Sequence, residues 1–148
     1  MSTTEALADI HKTITVAVPV EEAFVTFTRR IGSWWPQGSH TIFEDRLEEI
    51  VFEERAGGRV YERSTDGEEA DWADVVAWEP PTRLVLRWRV NPERAPTEVE
   101  VCFTPDGDGT RVELDHRGWD ATGDPDGRAG YHRGWDYVLG QFADAVQT

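Results

Sequence analysis

Apolar and polar residues alternate with period two over residues 13–18, where Ile14, Val16 and Val18 interleave with Thr13, Thr15 and Ala17. Successive side chains of a strand point to opposite faces, so the pattern predicts a half-buried strand. Pro19 stands where a helix can begin without that N–H, and Glu21 and Glu22 sit where the positive end of a helix dipole favours acids. Ala23, Phe24, Phe27 and Ile31 then recur at helical spacing, predicting a short amphipathic helix that ends near Gly32. From Leu47 to Trp119 the pattern is strand after strand, over residues 47–54, 59–64, 71–78, 83–90, 97–104 and 110–119. Ala56-Gly57-Gly58, Asp66-Gly67, Pro80-Pro81 and the run Pro105 to Gly109 mark the turns between them. Finally Asp124 is a good N-cap with Pro125 behind it, and Tyr131, Trp135, Val138, Leu139, Phe142 and Val146 share one face of a helix of about twenty residues.

Strand, short helix, six strands and a long helix predict an α+β fold. A curved antiparallel sheet of about seven strands wraps the C-terminal helix, with one or two short helices between the first two strands. At 148 residues the chain reads as one domain, residues 1–11 forming a flexible N-terminal segment.

Parity assigns the inner face. Leu84, Leu86 and Trp88 oppose Val85, Arg87 and Arg89; Val99, Val101 and Phe103 oppose Glu98, Glu100 and Cys102; Val112, Leu114 and His116 oppose Arg111, Glu113 and Asp115. Over residues 71–78 the face carrying Trp72, Asp74, Val76 and Trp78 is expected inward. If Val60 points in, so does Glu62, which places a carboxylate against an apolar interior. The inward set is rich in large aromatics: Trp72, Trp78, Trp88, Tyr131, Trp135 and Phe142, joined by Trp34 and Trp35 from the preceding loop. These rings either fill the core or line a residual cavity between sheet and helix.

Charge narrows the partners. Twenty-nine acids against fifteen bases give a formal charge of −14, a field that repels nucleic acid and anionic membrane surfaces alike. No apolar run approaches the ~18 residues that span a bilayer, and the N-terminus lacks a signal-peptide apolar block, so the cytoplasm is the expected location. A single cysteine, Cys102, excludes an internal disulfide framework. No close ligand spacing points to a metal, and no phosphate loop or other motif points to a cofactor.

Three polar groups are candidates for chemistry. Glu62, desolvated, is a candidate general acid or base; alternatively it pairs with a neighbouring arginine or sits at a wet rim. His40 from a loop and His116 from the last strand are expected to approach the same cavity and complete a His–carboxylate set. The pentapeptide His-Arg-Gly-Trp-Asp occurs at residues 116–120 and 132–136, in the second case with His132 and Asp136 placed to pair along a helix.

Trp34-Trp35-Pro36 followed by His40, Gly-Gly-Arg-Val-Tyr-Glu-Arg at residues 57–63, Asp66-Gly67, Trp72, Trp-Glu-Pro-Pro at residues 78–81, Arg83-Leu84, Trp88 and Gly134-Trp135 resemble the activator of heat-shock protein 90 ATPase homologue family. That family lies in the START, polyketide-cyclase and pollen-allergen superfamily. The resemblance runs from Thr13 to Val146, departing at Ala73, where relatives often carry Gly. It implies a helix-grip fold with a deep cavity that holds apolar or amphipathic small molecules. The chaperone-activating role belongs to larger relatives with an additional N-terminal domain, which these residues do not include.

The expected function is therefore binding of an apolar, aromatic or lipid-like molecule by a cavity bordered by Trp34, Trp35, His40, Glu62, Trp72, Trp78, Trp88, Phe103, His116, Tyr131 and Trp135. A cyclase or dehydratase using Glu62 or a histidine, and a protein-partner module meeting a basic partner, are the alternatives. A homodimer is compatible with either.

Overall fold

The structure, a computed structural model, describes residues 7–36 and 39–146. Seven antiparallel strands, β1 (Ile10–Val16), β2 (Leu47–Phe52), β3 (Arg59–Ser64), β4 (Glu69–Glu79), β5 (Arg83–Trp88), β6 (Thr97–Asp106) and β7 (Gly109–Arg117), form one sheet in the order β1-β7-β6-β5-β4-β3-β2. Helices α1 (Val20–Phe27) and α2 (Ile31–Trp34) carry the chain from β1 to β2, at opposite edges of that sheet, and α3 (Pro125–Val146) packs on β1, α1 and α2. Both short helices fall where Phe24, Phe27 and Ile31 needed burial, and all three are buried. Asp124 caps α3 as expected, its Oδ1 accepting the Gly127 N–H at 2.9 Å.

β1 begins earlier than the alternation predicts. Ile10 and His11, assigned to a flexible segment by sequence, pair with His116 and Asp115 of β7, and Ile10 is buried; residues 1–6 lie outside the described residues. The inward register of β5, β6 and β7 is as parity requires: Leu84, Leu86, Trp88, Val99, Val101, Phe103, Val112, Leu114 and His116 are all buried.

β4 departs from strict alternation. Register shifts fall between Val60 and Tyr61 in the β3–β4 pairing and between Val75 and Ala77 in the β4–β5 pairing. An extra residue in one strand turns the following side chains to the other face. Trp72 and Ala73 are consequently both buried, and Val75 is buried too, whereas Asp74 meets Arg89 and Val76 is exposed. The second bulge restores the original face, so Trp78 packs against Phe24 with ring centroids 5.0 Å apart. Asp74 and Val76 are thus not inward, while both tryptophans are.

The outer face of the sheet is a lattice of ion pairs. Arg59, Arg83, Arg89 and Arg117 each bridge two or more carboxylates drawn from adjacent strands or the same one. Two bonds to Asp74 and one to Asp71 hold the Arg89 guanidinium, raising its pKa further above its already high value. No helix is long and apolar enough to cross a membrane among the described residues.

Candidate functional site

The aromatic interior divides in two. One half is solid: Phe27 lies 5.3 Å from Phe142, 5.5 Å from Trp34 and 5.7 Å from Phe103 by ring centroids, and Phe24 joins Phe103 to Trp78. The other half encloses a pocket of about 350 Å³, open on one side. Trp35, Trp72, Trp88 and Trp135 form its walls, Tyr131, Gly130 and Gly134 belong to the α3 side, and Ser39, His40, Thr41 and Ile42 form a loop at its edge. This volume falls within the 300–1,000 Å³ range typical of ligand pockets.

Each wall indole has its N–H tied to the protein. Trp35 donates to the His40 carbonyl at 2.8 Å, Trp72 to Glu62 Oε2 at 2.7 Å, Trp88 to the Tyr131 hydroxyl at 2.9 Å and Trp135 to His116 Nδ1 at 3.0 Å. Buried indole N–H groups need such partners. With those donors satisfied within the protein, the tryptophans contribute aromatic surface, and the polar side chains on the pocket lining are Ser39, His40, Thr41 and Tyr131, the last already accepting from Trp88.

Six of the side chains expected around the cavity line this pocket: Trp35, His40, Trp72, Trp88, Tyr131 and Trp135. Trp34, Trp78 and Phe103 belong to the solid half. Glu62 and His116 lie behind the walls, each bonded to a wall indole, so the expected trio with His40 does not form.

Glu62 reaches inward from β3 and is fully buried. Neither an arginine nor a wet rim compensates it. Its Oε1 accepts the Phe43 amide at 2.7 Å, and its Oε2 accepts the Ile42 amide at 2.8 Å together with Trp72 Nε1. Three N–H donors occupy most of the acceptor capacity of a carboxylate.

His116 is equally enclosed. Because Nδ1 accepts from Trp135, the ring proton is on Nε2, which donates to Thr97 Oγ1 at 2.7 Å. Burial, with a smaller contribution from the Arg94 charge, pulls its pKa from 6.5 down to about 3, which leaves the ring neutral at physiological pH.

His40 is the histidine on the pocket surface. Its Nδ1 lies 2.6 Å from Ser39 Oγ, its ring stacks on Tyr137 at 5.3 Å and 14°, and its edge lies against Gly134. Sequence reasoning missed the space-making residues of α3. Gly127, Gly130 and Gly134 recur at three- and four-residue spacing along the pocket side; a Cβ added at Gly130 would meet nothing within 4 Å, whereas one at Gly127 would strike the Asp124 cap. Helix glycines are destabilising, so three on one face were a readable signal.

The pentapeptide repeat is bridged across its two copies, since His116 of the first accepts from Trp135 of the second. His132 and Asp136 do not pair with each other; both face Lys12, which extends from the inner side of β1 and lies 3.0 Å from Asp136 Oδ1. Cys102 lies on the outer side, its thiol pKa raised by burial and by the neighbouring Glu100 charge, away from nucleophile chemistry. Among the described residues no three His, Cys, Asp or Glu side chains gather as a metal site would require.

Solved structures of similar fold are known. An anthrahydroquino-γ-pyrone synthase, Txn09, solved as a complex, is 35% identical, with 96% of this chain and 99% of that one aligned at a TM-score of 0.66. CalU16 from Micromonospora echinospora is 24% identical over 90% of this chain and 72% of that one, at a TM-score of 0.63. An Aha1 dimer from Colwellia psychrerythraea is 17% identical over 95% and 96%, at 0.72. No functionally curated protein matches. The family model described as activator of Hsp90 ATPase homolog 1-like protein matches residues 17–147, and the chain belongs to that family.

Proposed function

We propose that the chain binds a planar aromatic small molecule, of two to three fused rings with oxygens along one edge, in the pocket between α3, the sheet and the 39–42 loop. The observation that carries this reading is the set of four wall indoles whose N–H groups are all engaged within the protein around about 350 Å³ of space. Such walls favour flat hydrocarbon, and an engineered apolar cavity of ~150 Å³ already accepts benzene. Hydroxyl and imidazole groups of Ser39, His40 and Thr41 sit together on one side, where they would meet phenolic or quinone oxygens. Titration with 1,8-dihydroxyanthraquinone, followed by tryptophan quenching and native mass spectrometry, tests the reading. A retained one-to-one complex supports it. Retention of palmitate in preference to the polycycle, or of neither, rejects it.

A second reading, cyclisation of such a molecule, is favoured by the full-length 35% identity to the pyrone synthase. A γ-pyrone forms when a phenol oxygen adds to the distal carbonyl of a 2-hydroxyaryl 1,3-diketone, and the resulting hemiketal loses water. His40 is the group placed to take the phenol proton and return one to the departing hydroxyl, since Glu62 and His116 are walled off. Conversion of 1-(2-hydroxyphenyl)butane-1,3-dione to 2-methylchromone, lost on His40→Gln with binding retained, would support catalysis. An unaltered rate in that variant excludes His40 from the reaction.

A further inference from the structure

Glu62 lies outside the pocket yet is bonded to two of its walls. The same oxygen, Oε2, accepts the Ile42 amide from the edge loop and the Trp72 indole from β4, and Oε1 accepts the next loop amide, Phe43. Burying a carboxylate carries a large desolvation cost unless bonds replace water. Among the described residues no cation pairs with it, so N–H donors alone hold it. The loop it grips is bent sharply: Glu44, immediately after the two gripped amides, has φ of 53°, the one positive φ outside glycine among the described residues. Left-handed backbone at such a residue persists only where surrounding contacts impose it. The loop also leaves Ile42 exposed at the pocket mouth, so little apolar burial holds it at that point.

We propose that Glu62 is a positioning residue that fixes the shape of the pocket, setting the edge loop and the Trp72 ring at one separation through a shared carboxylate. This rests on the pocket being the binding site, and it gives the buried acid a role other than proton transfer. A glutamine of the same shape cannot do the same work. Whichever way its amide is turned, the NH₂ group faces at least one N–H donor, so a bond to the loop or to both walls is replaced by a clash of donors.

The test uses the full chain and 1,8-dihydroxyanthraquinone as probe. In Glu62→Gln the Trp72 indole N–H resonance is expected to move upfield while that of Trp34, bonded to the Thr26 carbonyl, stays. The Ile42 and Phe43 amides should exchange at least tenfold faster, and the probe Kd should rise about tenfold. Unchanged exchange and affinity would overturn the proposal, as would a shifted resonance with wild-type affinity. Should that variant not fold, Glu62→Asp keeps the charge but is one methylene too short to reach the loop amides and the Trp72 indole together. A Kd at least threefold higher, with the loop amides exchanging faster or the Trp72 resonance moved, then supports the proposal, and an unchanged Kd rejects it. A wild-type protein that leaves the probe unbound counts against the pocket reading itself, and the resonance and exchange results then decide whether Glu62 holds the two walls.

Discussion

The Trp135 indole N–H lies 3.0 Å from Nδ1 of His116, so a wall of the pocket and a fully buried histidine share one hydrogen bond. The bond requires an unprotonated Nδ1, and protonation of His116 breaks it.

The pH dependence of stability follows. His116 has a folded pKa of about 3 against 6.5 for the ordinary group. Between those values the unfolded chain binds the proton and the folded one does not, so stability is intact above pH 6.5 and declines as pH falls. The slope approaches about 1.4 kcal/mol per pH unit. Urea unfolding at pH 8 and pH 5 should differ by roughly 2 kcal/mol from this residue. The difference should flatten in His116→Gln.

Replacing Gly130 with alanine should separate stability from binding. A Cβ there meets no atom within 4 Å, and alanine in a helix is favoured over glycine by about 0.5–1 kcal/mol. Melting should rise by about 2–4 °C, while the added methyl enters the pocket and weakens 1,8-dihydroxyanthraquinone binding. A stabler variant with undiminished affinity would place the guest elsewhere.

His40→Ala tests the polar edge. The ring is half-buried and stacked on a half-exposed Tyr137, so stability should change by under ~0.5 kcal/mol. Loss of one hydrogen bond, worth about 1 kcal/mol, should weaken the dihydroxyanthraquinone about fivefold. Unsubstituted anthraquinone lacks those hydroxyls, and its affinity should change less. Equal losses for both would mean that His40 contributes ring area only.

Salt should stabilise this protein despite its ion pairs. Exposed pairs are worth about 0–1 kcal/mol each, whereas a net charge of −14 opposes the compact state throughout. Raising NaCl from 0.05 to 1 M shrinks the Debye length to ~3 Å, and the melting temperature should climb. A fall would show that the Arg89 and Arg117 clusters outweigh the overall repulsion.

Much of the architecture was legible in the chain. The faces of β5, β6 and β7 needed only period-two counting, because Leu84, Val101 and Leu114 sit in strands with unbroken registers, although β7 stops at Arg117 and Trp119, expected in that strand, opens a short 3-10 turn. β4 was not legible in the same way: its two bulges cancel, so Trp72 and Trp78 obey a parity that Asp74 and Val76 break between them. For the site, the indole wall followed from face assignment, but whether a ring fills or encloses space depends on its neighbours. Trp34 lies 5.2 Å from Phe142 and is packed solid, while Trp35, the next residue, borders open volume. Glu62 was correctly placed inward, yet two of its three donors are backbone amides about twenty residues upstream, which no side-chain pattern reveals.

The partition of the interior has a consequence for how such a chain can diversify. Phe24, Phe27, Phe103 and Phe142 hold sheet to helices through their own ring contacts, apart from the hollow. The residues that contour the hollow, Gly130 and Gly134 on one bank and the 39–42 loop on the other, can then be exchanged one at a time. The hollow can thus be reshaped by small steps, each leaving the keystone rings untouched.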